Sequence, residues 1–426
     1  MRINLSELIE ENVINQQIGD NISNYYLNKK ENGVNKLFVI FGVLGALLIG
    51  LGILLIIAHN WDNFSHNIKV VFAFVPLLSA QILCIYLLAK RSESIAWKEG
   101  AATFLFLSVG ASISLVSQIY HISGDLSTFL LVWMSLSLPV IYLMNSSFTS
   151  LLYLIGITVY SCEAGYWSSQ VGLPYLYWIL LILAIPHYLG LIKHMSGSNF
   201  TRFHNLLIVM SIVISLGTVT KHNYELRNIA YLSLFGIFLL IDRVPIFQKN
   251  KEHNLIFEIV GFSGSMFILF NLSFSWFWNQ LSITHYSIYQ LVVTWEMIPV
   301  IITTLIALIL LFEKFRAQTL SRIRPVELLF LVYILIYILF GSIPSMAIIF
   351  INILILFLGV STIIIGLRRN HTGVLNLGLL IITILVICRF FDTELSFVLR
   401  GSLFIGVGIG FFFMNYRMLK KRKNEN

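Results

Sequence analysis

The sequence predicts an all-α polytopic membrane protein, a transmembrane helix bundle of about fourteen spans preceded by a short cytoplasmic helical hairpin. Three observations carry this expectation. Hydrophobic residues make up 58% of the 426-residue chain and charged residues only 11%, whereas about a quarter of an ordinary soluble protein is charged. The apolar residues, 33 phenylalanines among them, come in runs close to the ~20 needed to cross a ~30 Å hydrocarbon core. The basic residues gather in the breaks between alternate runs, as they do where charge orients a membrane protein.

The elements follow in order. Residues 1–36 are polar, with Leu5, Leu8 and Ile9 at helical spacing, then Ile18, Ile22, Tyr25 and Tyr26, and Asn12-Val13-Ile14-Asn15 between the sets. This reads as two short helices joined by a turn, against a competing reading of a disordered tail. No apolar core with a small-residue cleavage site precedes Lys36, so no cleavable signal is expected and the first span serves as the targeting signal. Apolar runs then lie at 37–58, 70–89, 100–119, 126–144, 148–162, 174–192, 203–219, 226–241, 255–278, 288–312, 325–341, 343–367, 373–391 and 397–414. The runs 148–162 and 226–241 are short. The break Gly341-Ser342-Ile343-Pro344 is tight enough for its flanking runs to form one kinked or re-entrant unit, which leaves the count between about twelve and fourteen. The chain so divides into the head at 1–36, a first block at 37–145, the remaining bundle at 146–414 and a basic tail at 415–426.

Charge tests the count. With the N-terminus inside, roughly 23 Lys and Arg fall in inner segments and roughly 4 in outer loops. The strongest markers are Lys90/Arg91/Lys98, Lys314/Arg316/Arg322/Arg324 and the tail from Arg417 to Lys423. Both termini are therefore expected in the cytoplasm, and the expected location is a bacterial inner membrane. The net charge of +8 is spent on orientation, not on nucleic acid.

On this topology the unusual polar residues converge on the outer half. The first span ends in His59-Asn60-Trp61-Asp62, the third in Gln118-Ile119-Tyr120-His121 with Asp125 beyond, and the thirteenth in Arg389-Phe390-Phe391-Asp392. Arg400 enters the last span from the same side, and Glu296 falls about eight residues, ~12 Å, inside the tenth. Ionisable groups at membrane depth face a cavity or a partner. The candidate site is an outward-facing polar pocket lined by Asn60, Asp62, Gln118, His121, Glu296, Arg389, Asp392 and Arg400. Its competitor is a set of interfacial anchors with one structural ion pair, Asp392 with Arg389 or Arg400. Glu296 reads equally as a proton relay or as a buried neutral carboxyl. Trp167, Trp276 and Trp278 read as outer-interface belt residues.

Several chemistries find no support. Cys84, Cys162 and Cys388 have no partners at ligand spacing, and no histidine pairs with a carboxylate or a second histidine as metal ligands do, so neither metal nor cofactor is expected. His187 follows Pro186 and can answer a carbonyl which that proline frees. Gly42-x-x-Gly45 and Gly406-x-Gly408-x-Gly410 read as packing seams, and no phosphate-binding loop is present.

The stretch Gly45 to Ile53 leading to Ala58-His59-Asn60-Trp61-Asp62 resembles a prokaryotic membrane-protein family, domain of unknown function 2157. Gly110-Ala111-Ser112 running to Gln118-Ile119-Tyr120-His121, with Asp125, Trp133 and Pro139, is similar to its second block. The likeness covers about residues 5–145, and Arg389-Phe390-Phe391-Asp392 with Arg400-Gly401 resembles a closing block. It implies a bacterial multi-span protein and no established activity. The span number and outer polar cluster favour a transporter or permease for a small solute, although no paired Gly- or Pro-broken segments mark two halves. The alternative is a non-enzymatic sensor, assembly or envelope-maintenance component, with a protein partner at residues 1–36. The third is an intramembrane enzyme acting on a lipid-linked ligand, for which no nucleophile is evident; an enzyme is the lesser expectation. The lipid bilayer is the one partner common to all three.

Overall fold

The computed structural model describes residues 11, 13, 15–22, 61–90, 95–167, 173–195, 197–248, 251–278, 294–317 and 324–390, with scattered positions from 398 to 412. Its helices are α1 (His66–Lys90), α2 (Ile95–Ile119), α3 (Leu126–Met144), α4 (Ser147–Cys162), α5 (Leu176–His194), α6 (Asn199–Val219), α7 (Tyr224–Leu239), the single turn α8 (Pro245–Gln248), α9 (Lys251–Leu272), α10 (Met297–Ala317), α11 (Leu329–Phe340), α12 (Pro344–Arg368) and α13 (Thr372–Phe390). A π-helical turn, Glu163–Trp167, extends α4. No strand occurs among the described residues. Ten of the helical segments are long and apolar enough to cross a membrane. Every expected run from 70–89 to 373–391 has a helix over it; the run 37–58 and half of 397–414 lie outside the described residues.

The chain separates into two units, Met1–Phe72 and Ala73–Asn426. In the first, residues 16–22 are helical, and Asn15 caps them by accepting the Ile18 N–H at 2.8 Å. The half of the hairpin expected around Leu5 lies outside the described residues. Further on, Trp61–Asn63 forms a 3-10 turn, with the Lys69 ammonium 5.6 Å from the Trp61 ring and Phe64 stacked on Phe72.

The second unit holds one large apolar core running from Phe106 to Leu385. Two of its short members are α7, of 16 residues, and α11, of 12. At 1.5 Å per residue neither spans ~30 Å alone. Most residues of α7 are buried in protein, where a helix need not match the lipid thickness. At Gly341–Ile343 the chain turns between α11 and α12, and Phe340 stacks on Phe350 at 4.4 Å.

Several connections touch one another. Lys221, after α6, donates to the Gly165 carbonyl after α4, and Arg389, ending α13, donates to the Ser273 carbonyl after α9. Glu99, near the start of α2, accepts the N–H groups of Ser147 and Phe148 at 2.8 and 2.9 Å, closing the N-terminus of α4. Lys314, Arg324, Glu258 and Glu327 form an ion network between the end of α10, the start of α9 and the turn before α11. Two of the expected inner-face markers, Lys314 and Arg324, are thus held by carboxylates.

Three smaller expectations change. The close seam of small residues lies between α12 and α13, where a Cβ on Gly378 would sit 2.7 Å from the Ile363 nitrogen; Gly406, Gly408 and Gly410 have no neighbour that near among the described residues. Trp278 is no belt residue: it is 1% exposed, and its indole N–H donates to the Leu272 carbonyl at 2.6 Å, capping α9. Trp276 and Trp167 are exposed as expected. At Pro186 it is Tyr142, not His187, whose hydroxyl donates to a nearby carbonyl, that of Leu183.

Candidate functional site

α2 and α3 are joined by a short connection whose geometry is set by two caps. The N–H of Ile122 donates to the Ser117 carbonyl at 2.9 Å, and His121 takes φ 52°. This is the left-handed helix stop that glycine or asparagine ordinarily fills. Asp125 then opens α3, accepting the Thr128 N–H at 3.3 Å, its hydroxyl at 2.6 Å, and the Ser127 hydroxyl. Hydrogen bonds from Ser127 and then Thr128 hold the Asp125 carboxyl down at about 2, so it is a carboxylate throughout the physiological range.

Beneath this connection α1, α2 and α3 bound an open groove of about 1070 Å³. Its walls are apolar, from Phe74 and Leu77 on α1, Val109 and Ile113 on α2, and Phe129 and Val132 on α3. Its rim is polar, with Gln118, His121, Ser123, Asp125 and Thr128, and Gln81 of α1 also lines the groove. The helices approach closely because Gly110 lets Trp133 lie against its Cα; a Cβ there would sit 2.5 Å from the indole. The Trp133 N–H donates to the Phe106 carbonyl at 2.8 Å, and the Ser112 hydroxyl to the Ala73 carbonyl at 2.5 Å. An apolar trough under a rim of one carboxylate, one imidazole and several amide and hydroxyl groups suits an amphipathic molecule.

Of the eight residues expected to line a site, Gln118 and His121 meet on this groove. Asp62 is exposed in its 3-10 turn in the first unit. Asn60, Asp392 and Arg400 lie outside the described residues. Arg389 donates from Nη2 to the Ser273 carbonyl at 2.7 Å and hydroxyl at 3.2 Å, and lies 5.0 Å from the Phe274 ring. A cation on the last carbonyls of α9 satisfies orphan acceptors and the helix dipole together.

Glu296 is 7% exposed, but it precedes α10 instead of standing eight residues inside a span. Pro299 explains the difference: a proline without an N–H belongs in a first turn, whose amides have no intrahelical acceptor. Its carboxylate accepts the His222 N–H at 2.8 Å and the Asn223 side-chain amide, tying the connection before α7 to the start of α10. Sequence reading passed over Gln81 in the groove and Ser123 and Thr128 on its rim. It also passed over Asn223, Glu225, Arg227 and Asn228, four polar residues within six at the head of an apolar run.

No curated protein and no solved structure matches the chain. One family model does, and it stops at residue 151, short of the block around Arg389. Residues 6–151, which include the groove's three helices and its polar rim, match the model of the family described as predicted membrane protein, DUF2157.

Proposed function

We propose that the protein is a permease-like carrier of a bacterial cytoplasmic membrane, with both termini inside, that admits an amphipathic small molecule from the outer leaflet into the α1–α2–α3 groove. The groove itself, about 1070 Å³ with apolar walls and Asp125, His121 and Gln118 at its rim, carries this reading. A permanently charged Asp125 selects an amine-bearing head over an acidic one. The test uses two fluorescent probes of equal chain length, one with an amine head and one with a carboxylate, titrated into protein in lipid nanodiscs. The amine probe is expected to bind several-fold more tightly. Gln118→Leu and His121→Gly should each weaken it, and glycine suits the left-handed backbone at 121, so folding is preserved. Equal binding of both probes by wild type, or unchanged binding in both variants, overturns the proposal.

A second reading is favoured by the first unit, where Val13 and Ile18 are exposed apolar side chains. A sensor or assembly component would use them to hold a partner, and would lose its co-purifying protein when residues 1–30 are deleted.

A further inference from the structure

A second cavity, of about 410 Å³, lies within the helical unit Ala73–Asn426, between the π-helical turn after α4 and helices α6, α7 and α9. That volume is in the range of small-molecule pockets, about 300–1,000 Å³. Phe235, Phe267 and Phe277 supply apolar wall, and Phe267 is 71% exposed.

Its polar lining is unbalanced. Tyr231 and Tyr166 both line it, but their hydroxyls are committed, donating to the Val213 and Ile214 carbonyls of α6 at 2.7 and 3.0 Å. Asn271 likewise donates to the Phe267 carbonyl at 2.7 Å. Arg227 remains. It is half-buried one turn into α7, its guanidinium 4.3 Å from the Tyr224 ring, and no carboxylate among the described residues pairs with it. The neighbouring Asn228 also lines the cavity. A half-buried arginine is costly without a counter-charge. Its fork matches a carboxylate bidentately, and the start of α7 favours the same sign.

We infer that this cavity binds a membrane-partitioning carboxylic acid, its carboxylate on Arg227 and its aromatic or branched body among Phe235, Phe267 and Phe277. The site is separate from the α1–α2–α3 groove and does not rest on the carrier reading.

The test titrates 4-phenylbutyrate into nanodisc-embedded full-length protein, with empty nanodiscs as the partition control. The neutral 4-phenylbutanamide and inorganic phosphate serve as comparisons. Saturable phenylbutyrate binding is expected, with the amide and phosphate each at least tenfold weaker. Arg227→Gln should weaken phenylbutyrate at least tenfold and Arg227→Lys by less. Ile268→Trp, which fills the cavity and leaves Arg227 in place, should weaken it too. If Arg227→Gln does not fold, Arg227→Lys, Ile268→Trp and the acid-against-amide comparison on wild type decide. The inference is overturned by the absence of saturable binding, by an amide that binds as well as the acid, or by phosphate binding as well as phenylbutyrate. A folded Arg227→Gln protein within twofold of wild type overturns it equally.

Discussion

Lys314 donates to Glu327 at 2.7 Å where the two side chains are 6% and 0% exposed, so an ion pair sits in the interior beside the end of α10. Glu327 also accepts from Arg324 Nε at 2.7 Å, and Arg324 reaches Glu258. Charges withdrawn so far depend on one another: removing one leaves its partner buried and uncompensated.

Lys314→Met should therefore destabilise the protein by about 3–5 kcal/mol. Lys314→Met with Glu327→Leu should recover part of that loss, because no lone carboxylate remains in the interior. Equilibrium unfolding in mixed micelles measures both. A single variant within about 1 kcal/mol of wild type would show the pair to be solvated.

Asp125 links stability to pH. Its folded value of about 2 lies below the ordinary 3.8. Its contribution is accordingly complete above about pH 4 and is lost as pH falls through about 2. Asp125→Asn keeps a capping side chain but removes the charge, so the wild-type advantage over it should shrink between those values. Parallel melts of the two proteins from pH 6 to pH 2 test this; a constant difference across the range contradicts it.

Glu296 is a clamp between two connections. Glu296→Leu leaves the buried Asn223 amide without its acceptor, at about 1–3 kcal/mol, and turns the N–H of the exposed His222 over to water. Glu296→Gln retains one acceptor oxygen and should cost less. Thermal melts rank the variants. If transport by Glu296→Gln fell far more than its stability, the carboxylate would carry a proton as well as a structural bond.

Gly217 is the point where two tyrosine hydroxyls press on α6. A Cβ there would lie 2.0 Å from Tyr166 Oη and 2.7 Å from Tyr231 Oη. Gly217→Ala should destabilise by about 1–3 kcal/mol through overpacking. Adding Tyr166→Phe should restore part of it, since the nearest clash is with the removed oxygen. Additive losses in the double variant would show the clash to lie elsewhere.

Much of the fold was legible before any coordinates. Runs of apolar residues marked the helices from α1 to α13 apart from the single turn α8, since in lipid a backbone must pair internally and a continuous apolar stretch leaves it few alternatives. Two caps were written in the sequence but not read from it: Asp125 stands two and three residues before the hydroxyls it binds, and Pro299 marks a start of α10 later than the run 288–312 suggested. The candidate site was legible only where it is local. Gln118 and His121 end one helix and share a rim, a short-range consequence of one chain reversal.

Arg389, Glu296 and Trp278 carried no such label. Arg389 and Trp278 resemble residues at the membrane interface and Glu296 one inside a span, yet each is committed to a backbone group, of Ser273, Leu272 and His222 respectively. The small-residue seam of Gly359 and Gly378, and the unmatched Arg227 in its cavity, are likewise products of which helices pack together.

By itself, then, the sequence determined a multi-pass helical membrane protein with helices where its apolar runs lie, because transfer into lipid depends on composition and length within a single segment. Only the tertiary structure decided which polar side chains are spent and which are free. That follows from partners far apart in the chain, His222 with Glu296 or Ser273 with Arg389, whose pairing no local pattern encodes.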